Sequence, residues 1–429
     1  MAKTSQSDGS AGLRLAIVAW LITSIYYFYQ YAMRSAPAVM VPEMSEAFGL
    51  TAVGIASLVG LFYWGYAPFS LVAGVAMDQV GPKAVIPVGA ACVAIGAIMF
   101  STGDPTLAGI GRFLQGAGGV FALIGAIFLV STYMPASRAA TMIGLTQMFG
   151  MAGGSAGQFV VGPLIGSGVA WDSFWFVAGL VGIPIAIALF ILIPSRKQSQ
   201  TASKPSLGVA LRGFGTIFAN PQSILCGLIA GLIFMPTTIF DMVWGVRFLE
   251  EGHNIPYSEA VLRSASVPFG WIIGCPLLGW LSDRIGRRKP VIFGSTALLL
   301  ACMTFILFGP PGVLPPYFLG LVTGIASGSA MINYTVIKEA NPPELSGTAT
   351  GVINFINFSM TALFGPIFAG WLAEASAGGD RGLSHYQETF QPLLYGVALA
   401  FLLTFFLRET GTKKAREAAP LQGVELPAE

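Results

Sequence analysis

Charge is what this sequence has least of. Only 10% of its 429 residues are Asp, Glu, Lys or Arg, against about 25% in soluble domains. Histidine occurs twice, as His253 and His385, with no second ligand at helical spacing, so a metal centre is not expected. The four cysteines, Cys92, Cys226, Cys275 and Cys302, all fall inside apolar runs and imply no disulfide framework. No glycine-rich loop of the phosphate-cradling kind is present, which argues against ATP hydrolysis. A net charge of +2 is too small to suggest nucleic acid. What remains is 54% apolar, the balance of an integral membrane protein. Residues 1–14 are polar, and the apolar segment after them carries no small-residue cleavage site, so it reads as a retained helix.

A span needs about 20 apolar residues. Six are expected near 15–40, 51–77, 83–102, 105–134, 138–167 and 171–194, and six more near 221–248, 257–282, 289–309, 315–338, 345–374 and 387–407. This divides the chain into a tail (1–14), a six-helix bundle (15–194), a polar basic linker (195–216), a second bundle (217–407) and a charged tail (408–429). With both ends on one side, that side holds seventeen of the 22 Lys and Arg residues, including Lys83, Arg138, Arg196, Lys197, Lys204, Arg212, Lys338 and Lys413–Arg416. The other side holds Arg247, Arg263 and Arg381, while Arg34 and Arg112 are intramembrane. The bias predicts cytoplasmic termini and a cytoplasmic linker.

Four charges are packed into Gly279-Trp280-Leu281-Ser282-Asp283-Arg284-Ile285-Gly286-Arg287-Arg288, between two apolar runs. Such density requires a short hairpin loop at a membrane surface. Gly279 permits close helix approach, Gly286 a tight turn, and Asp283 is placed to pair with a guanidinium of a neighbouring element. A weaker copy, Gly74-Val75-Ala76-Met77-Asp78-Gln79-Val80-Gly81-Pro82-Lys83, lies 205 residues earlier. Gly162-Pro163 recurs as Gly365-Pro366 at offset 203, and Gly144 with Gln147 as Gly351 with Asn354 at offset 207. The chain therefore reads as two related halves, an architecture that places substrate near the midplane between them.

The loop resembles the signature between helices 2 and 3 of the major facilitator superfamily, repeated between helices 8 and 9. The second copy is complete; the first has Gln79 where the pattern has arginine. The resemblance implies an all-α integral membrane fold of twelve transmembrane helices in two pseudo-symmetric six-helix bundles. It implies that Gly74, Asp78, Lys83, Gly279, Asp283, Arg284, Gly286 and Arg287 form gating loops, locked and released through Asp–Arg pairs. Gly111-Arg112-Phe113-Leu114-Gln115-Gly116-Ala117-Gly118 resembles a second superfamily motif, in which the arginine takes part in proton coupling in some members. Read from the residues alone, Arg112 needs a partner, a water-filled path or a snorkelling route. Arg34 followed eight residues later by Pro42 looks like the organophosphate and anion:cation symporter branch, where the arginine grips an anionic substrate. The second arginine of the organophosphate antiporters, counted back from Trp244, falls on Thr238 here, so a phosphate ester is not expected. Val243-Trp244-Gly245-Val246-Arg247-Phe248-Leu249 is similar to bacterial phagosomal amino-acid transporters.

A guanidinium suits an anion because it is permanently charged and bonds a carboxylate through two parallel donors. Arg34 is the candidate ligand; the alternative is a pairing with another buried group. Subtracting the repeat offset from Asp241 gives 34 to 38, so Asp241 and Arg34 hold nearly equivalent places and could face one cavity. Asp241 could carry the coupling proton, receive a substrate ammonium, pair structurally, or sit at the outer surface near Arg247. Tyr27, Tyr31, Tyr63, Trp64, Tyr66, Gln147, Asn333, Tyr334, Asn354 and Asn357 complete the candidate lining. Gly150, Gly153, Gly154, Gly157, Gly162 and Pro163 predict a close crossing of helices 5 and 8. The reading is a monomeric transporter of the bacterial inner membrane, without cofactor, using a proton gradient to take up a small carboxylate-bearing solute by alternating access. A multidrug or metabolite exporter and a non-transporting sensor or membrane-embedded enzyme are the other possibilities.

Overall fold

A computed structural model describes residues 3–195, 206–310, 312, 314–315, 317–375 and 382–412, and no strand occurs among them. The first half runs through α1 (Lys3–Ser35), α2 (Ala52–Gln79), α3 (Pro82–Phe100), α4 (Pro105–Tyr133), α5 (Ala139–Phe159) and α6 (Trp171–Leu192). The second half runs through α7 (Pro221–Met235), α8 (Tyr257–Ile285), α9 (Lys289–Phe308), α10 (Phe318–Ser327, resuming as Ala330–Glu339), α11 (Ser346–Ala375) and α12 (Leu383–Thr404). Among the described residues eleven stretches are long and apolar enough to cross a membrane. The twelfth, α12, has 22 residues but opens on Ser384, His385, Gln387 and Glu388, which lower its hydropathy.

Helix starts follow local chemistry. Thr51, Asp104 and Asn220 accept N-terminal amides of α2, α4 and α7 at 3.2, 2.7 and 3.0 Å. Pro105 and Pro221 stand at first helical positions, where a missing N–H costs nothing. Close packing relies on missing side chains: a Cβ on Gly116 would lie 1.9 Å from the Phe62 carbonyl oxygen, and one on Gly96 2.5 Å from that of Gly111. These contacts let α2 and α3 close on α4 without backbone hindrance.

Several expectations change. The helix of the first span begins at Lys3, inside the polar tail. The linker read as 195–216 contains a helix, Leu207–Ala219, whose Ile217 is fully buried. Residues 196–205 and 413–429, with Arg196, Lys197, Lys204 and Lys413–Arg416, lie outside the described residues, as does Arg381. The fifth span breaks at Val160 and resumes as Val161–Gly166, because Pro163 offers no N–H to the Phe159 carbonyl. Pro366, its repeat counterpart, sits inside an unbroken α11. After α7 the chain widens into a π-helix (Pro236–Asp241), passes through Met242–Arg247, and widens again over Phe248–Gly252. In the glycine stripe of α5, Gly150, Gly153 and Gly157 seat against Tyr27, Phe28 and Ser35 of α1. Gly144, nearer the start of α5, meets α8, with a Cβ position 2.1 Å from the Cys275 carbonyl oxygen.

Packing defines two compact units that do not follow the sequence halves. One is Met1–Pro135, Phe149–Ala219 and Pro342–Phe355; the other is Ala136–Met148, Asn220–Asn341 and Ile356–Glu429. The first turns of α5 thus pack with the second half, and those of α11 with the first half.

Candidate functional site

The charged hairpin loops end where those exchanged turns begin. In the first unit the Asp78 carboxylate accepts the amides of Gly347 (2.8 Å) and Thr348 (2.6 Å) and the Thr348 hydroxyl (2.6 Å). In the second unit Asp283 accepts the amides of Ala140 (3.3 Å) and Thr141 (2.7 Å) and the Thr141 hydroxyl (2.6 Å). Each aspartate therefore caps a helix N-terminus, where orphan N–H groups and the positive helix end favour an anion. Gly74 and Gly279 allow this approach, with Cβ positions 2.5 and 2.3 Å from the carbonyl oxygens of Gly347 and Ala140.

The guanidinium partner of Asp283 lies in its own loop, and it is neither Arg284 nor Arg287. Gly286 turns the chain at φ +67° and brings Arg288 inward. Arg288, 1% exposed, donates to Asp283 at 2.5 Å and to Glu339 at 2.8 Å, and its amide donates to Glu409 at 2.7 Å. Burial pushes the guanidinium pKa down, but the Glu339 and Asp283 carboxylates outweigh it and hold the group above its ordinary value. Arg284 instead lies over the Trp280 ring at 5.1 Å, and Lys83 over Phe190 at 5.7 Å.

Within the first unit α1 and α2 bring Arg34, Tyr31 and Tyr63 together. The Arg34 carbon Cζ lies 4.7 Å from the Tyr31 ring centre, 5.0 Å from Tyr63 and 5.8 Å from Phe62. Its Nε and Nη2 donate to the Tyr63 hydroxyl at 3.3 and 3.2 Å, and the residue stays half-buried. Tyr27 lies one turn from Tyr31, edge to face at 5.1 Å, and closes against Gly150. Arg112 is different: 1% exposed, it does not snorkel. It donates to the Met33 carbonyl at 3.1 Å and to Gln115 at 2.6 Å, beneath the rings of Phe62, Phe100 and Trp175.

Asp241 ends the first π-segment and turns into a cavity of the second unit, of about 110 Å³. Ser264 donates to its carboxylate at 3.2 Å. Gly245 gives the pair room, its Cβ position lying 2.9 Å from the serine oxygen. Among the described residues no cation lies within 4.0 Å of Asp241, and Arg247 lies over Trp244 at 5.8 Å. A structural ion pair at Asp241 is therefore not found there.

The other candidates are divided. Gln147, Asn333 and Asn357 belong to the second unit, and Asn354 to the first. Asn354 donates to Ser70 at 2.8 Å and Asn357 to Tyr334 at 3.3 Å. Asn333 is fully buried and turned toward its own helix carbonyls at 3.5 Å. Trp64 is 73% exposed and lines no interior surface of its unit. Thr238 meets Thr361 at 3.3 Å. Thr141, Thr348 and Glu339 were missed by motif reading, although Thr141 and Thr348 stand 207 residues apart, the offset already seen in the same helices.

Helices of this length and composition, with mirrored aspartate caps, define a multi-pass integral membrane protein built from a repeat. The Major Facilitator Superfamily model matches residues 23–363, and the chain belongs to that family of transporters, not to an enzyme family. It is 23% identical to the hexuronate transporter of Bacillus subtilis (strain 168) over 368 residues, covering 80% of this chain and 85% of that one. It is 27% identical to the cis,cis-muconate transport protein of Acinetobacter baylyi over 292 residues, 64% of this chain and 67% of that one. Among solved structures the E. coli fucose:proton symporter FucP superposes with a TM-score of 0.70 at 17% identity, over 91% of this chain and 98% of that one. That likeness is one of fold.

Proposed function

We propose that this transporter takes up a small carboxylate-bearing solute, an organic anion or amino acid, coupled to a proton gradient across the bacterial inner membrane. Both termini and the Asp78 and Asp283 loops are cytoplasmic in this reading, as the distribution of Lys and Arg suggests. The observation that carries it is Arg34, a half-buried guanidinium framed by tyrosine and phenylalanine rings in a membrane span. A planar fork in such a frame can bond a carboxylate bidentately while the rings exclude competing water. The names of the two relatives, a hexuronate and a muconate transporter, agree with a carboxylate substrate. Asp241 is the proton site: a carboxylate within a span, with no cation within 4.0 Å among the described residues, is best accommodated when it gains and loses a proton. The fucose:proton symporter supplies a precedent for proton coupling on this fold. Arg112 assists coupling as a fixed buried charge in the first unit.

Binding of small carboxylates and amino acids to purified protein, followed by thermal shift, tests the substrate class. Arg34→Lys should weaken a hit by about tenfold or more, or 1.4 kcal/mol, because an ammonium cannot reproduce the fork. Wild-type affinity in Arg34→Lys and Arg34→Ala would remove Arg34 from the site. Asp241→Asn should abolish uphill uptake and keep counterflow exchange; normal gradient-driven uptake would end the coupling assignment.

A further inference from the structure

The Asp241 cavity lies wholly within the second unit, walled by residues from the π-helical extension that follows α7, the turns after it, α8, α9, α10 and the loop before α10. Its charges do not balance. Besides His253, its ionisable side chains are Asp241 and Arg263, and Arg263 is committed to Glu259 one helical turn earlier at 2.5 Å. Asp241 has a single hydroxyl donor, Ser264, and among the described residues no cation within 4.0 Å. Beside the carboxylate stand the rings of Phe240 and Phe248, centres 5.1 Å apart, whose faces attract cations. His253 meets Phe248 edge-on at 4.9 Å and is held below its ordinary pKa by burial and by Arg263, both of which oppose its positively charged form. The remaining walls include Val267, Met303, Ile306 and Leu319.

We propose that this cavity is a binding site for a small hydrophobic primary amine, its ammonium on Asp241 and its apolar body against Val267, Met303 and Ile306. The site is built from the second unit and does not rest on Arg34, and its test does not depend on whether Asp241 carries the coupling proton. A carboxylate ligand would meet the Asp241 charge and be rejected, so the two sites select opposite charges. The π-helix contributes by geometry: its wider turn alters the facing of the residues that follow Pro236, and such segments recur at functional positions.

The test uses the full-length protein in detergent and 2-phenylethylamine as probe, with 2-phenylethanol and 3-phenylpropionate as neutral and anionic counterparts. Binding is read directly from the methyl carbon resonance of isotope-labelled Met303, assigned with Met303→Leu. The amine should shift that resonance in a saturable way, at least tenfold more tightly than the alcohol, and the propionate should not. Asp241→Asn should erase the preference of amine over alcohol, and Asp241→Glu should restore part of it. Equal affinity for amine and alcohol in the wild type would overturn the proposal, with no reliance on the folding of any variant. Amine binding that leaves Met303 unmoved would overturn it too, by placing the ligand elsewhere. Because the readout is binding and not uptake, loss of proton coupling in Asp241→Asn bears on the transport assignment alone.

Discussion

Two loops, 205 residues apart, do the same thing by different means. Asp78 and Asp283 each accept two backbone amides and a threonine hydroxyl at the start of a helix from the opposite sequence half. Around Asp283 the structure adds a buried network in which Arg288 joins Asp283 to Glu339, and Glu409 holds the Arg288 amide. Around Asp78 the additions are milder: an amide pair between Gln79 and Ser206, and Lys83 over the Phe190 ring. The element common to both is the aspartate on a helix N-terminus. At Asp283 an ion pair with Arg288 is built onto it.

Breaking that elaboration should have the largest effect. Arg288→Ala removes a cation from between two carboxylates, one of them 6% exposed, and should destabilise the protein by about 3–5 kcal/mol. Arg284→Ala, on an exposed residue over Trp280, should cost less than about 1 kcal/mol. Thermal unfolding in detergent separates them, and equal losses would mean that Arg288 is no more committed than its neighbour. Gly74→Ala and Gly279→Ala should come next, each about 1–3 kcal/mol, because the new methyl meets a backbone carbonyl that cannot rotate away. The two losses should be similar, since the glycine contact belongs to the shared element; a much larger loss at Gly279 would tie it to the ion network.

Much of this was legible in sequence. The spans follow from apolar run length, and the two loops from the recurrence of Gly, Asp, Gly and a terminal cation. The partners of the aspartates were not legible, because backbone amides carry no side-chain signature and lie 142 and 270 residues away. Which cation of the second loop turns inward depends on the left-handed turn at Gly286, and composition does not encode that direction. The π-segments after α7 were hidden too, since Pro236 announces a disturbance without its form. Charge counting marked 195–216 as a linker and overlooked that Leu207–Ala219 has a face to bury. Arg34 with its tyrosines was readable because α1 and α2 are adjacent in sequence. The cavity at Asp241 was not, because the segment after α7, three further helices and a loop build it.

Removing the shared element from the simpler loop should cost less than breaking the network. Asp78→Ala leaves two amides and a hydroxyl without their acceptor, and should lower stability by about 1–2 kcal/mol, the range of a lost N-cap. Asp283→Ala should exceed it, since Arg288 then also loses a carboxylate. Unfolding midpoints of the two variants side by side give the comparison, and an Asp78→Ala loss equal to that of Asp283→Ala would show that the network adds nothing to the cap.

The smallest expected effect is at Gln79, the position where the first loop departs from the family pattern. Adding the 205-residue offset to 79 gives Arg284, which lies over Trp280 and not on Asp283; adding it to 83 gives Arg288, the residue that does pair. The arginine that the first loop lacks is therefore not the counterpart of the pairing cation, and the Asp78 cap forms without it. What Gln79 holds is Ser206, by an amide given at 3.3 Å and one taken at 3.0 Å, on an exposed surface. Gln79→Ala should cost about 0.5–1.5 kcal/mol at most, the net worth of an ordinary hydrogen bond, and speed hydrogen exchange at the Ser206 amide. Gln79→Arg should behave like Gln79→Ala, without added stability, because a guanidinium at this position is directed as Arg284 is. A clear stabilisation by Gln79→Arg that disappears in the Asp78→Ala background would reverse this assignment, and return the first loop to an Asp–Arg lock.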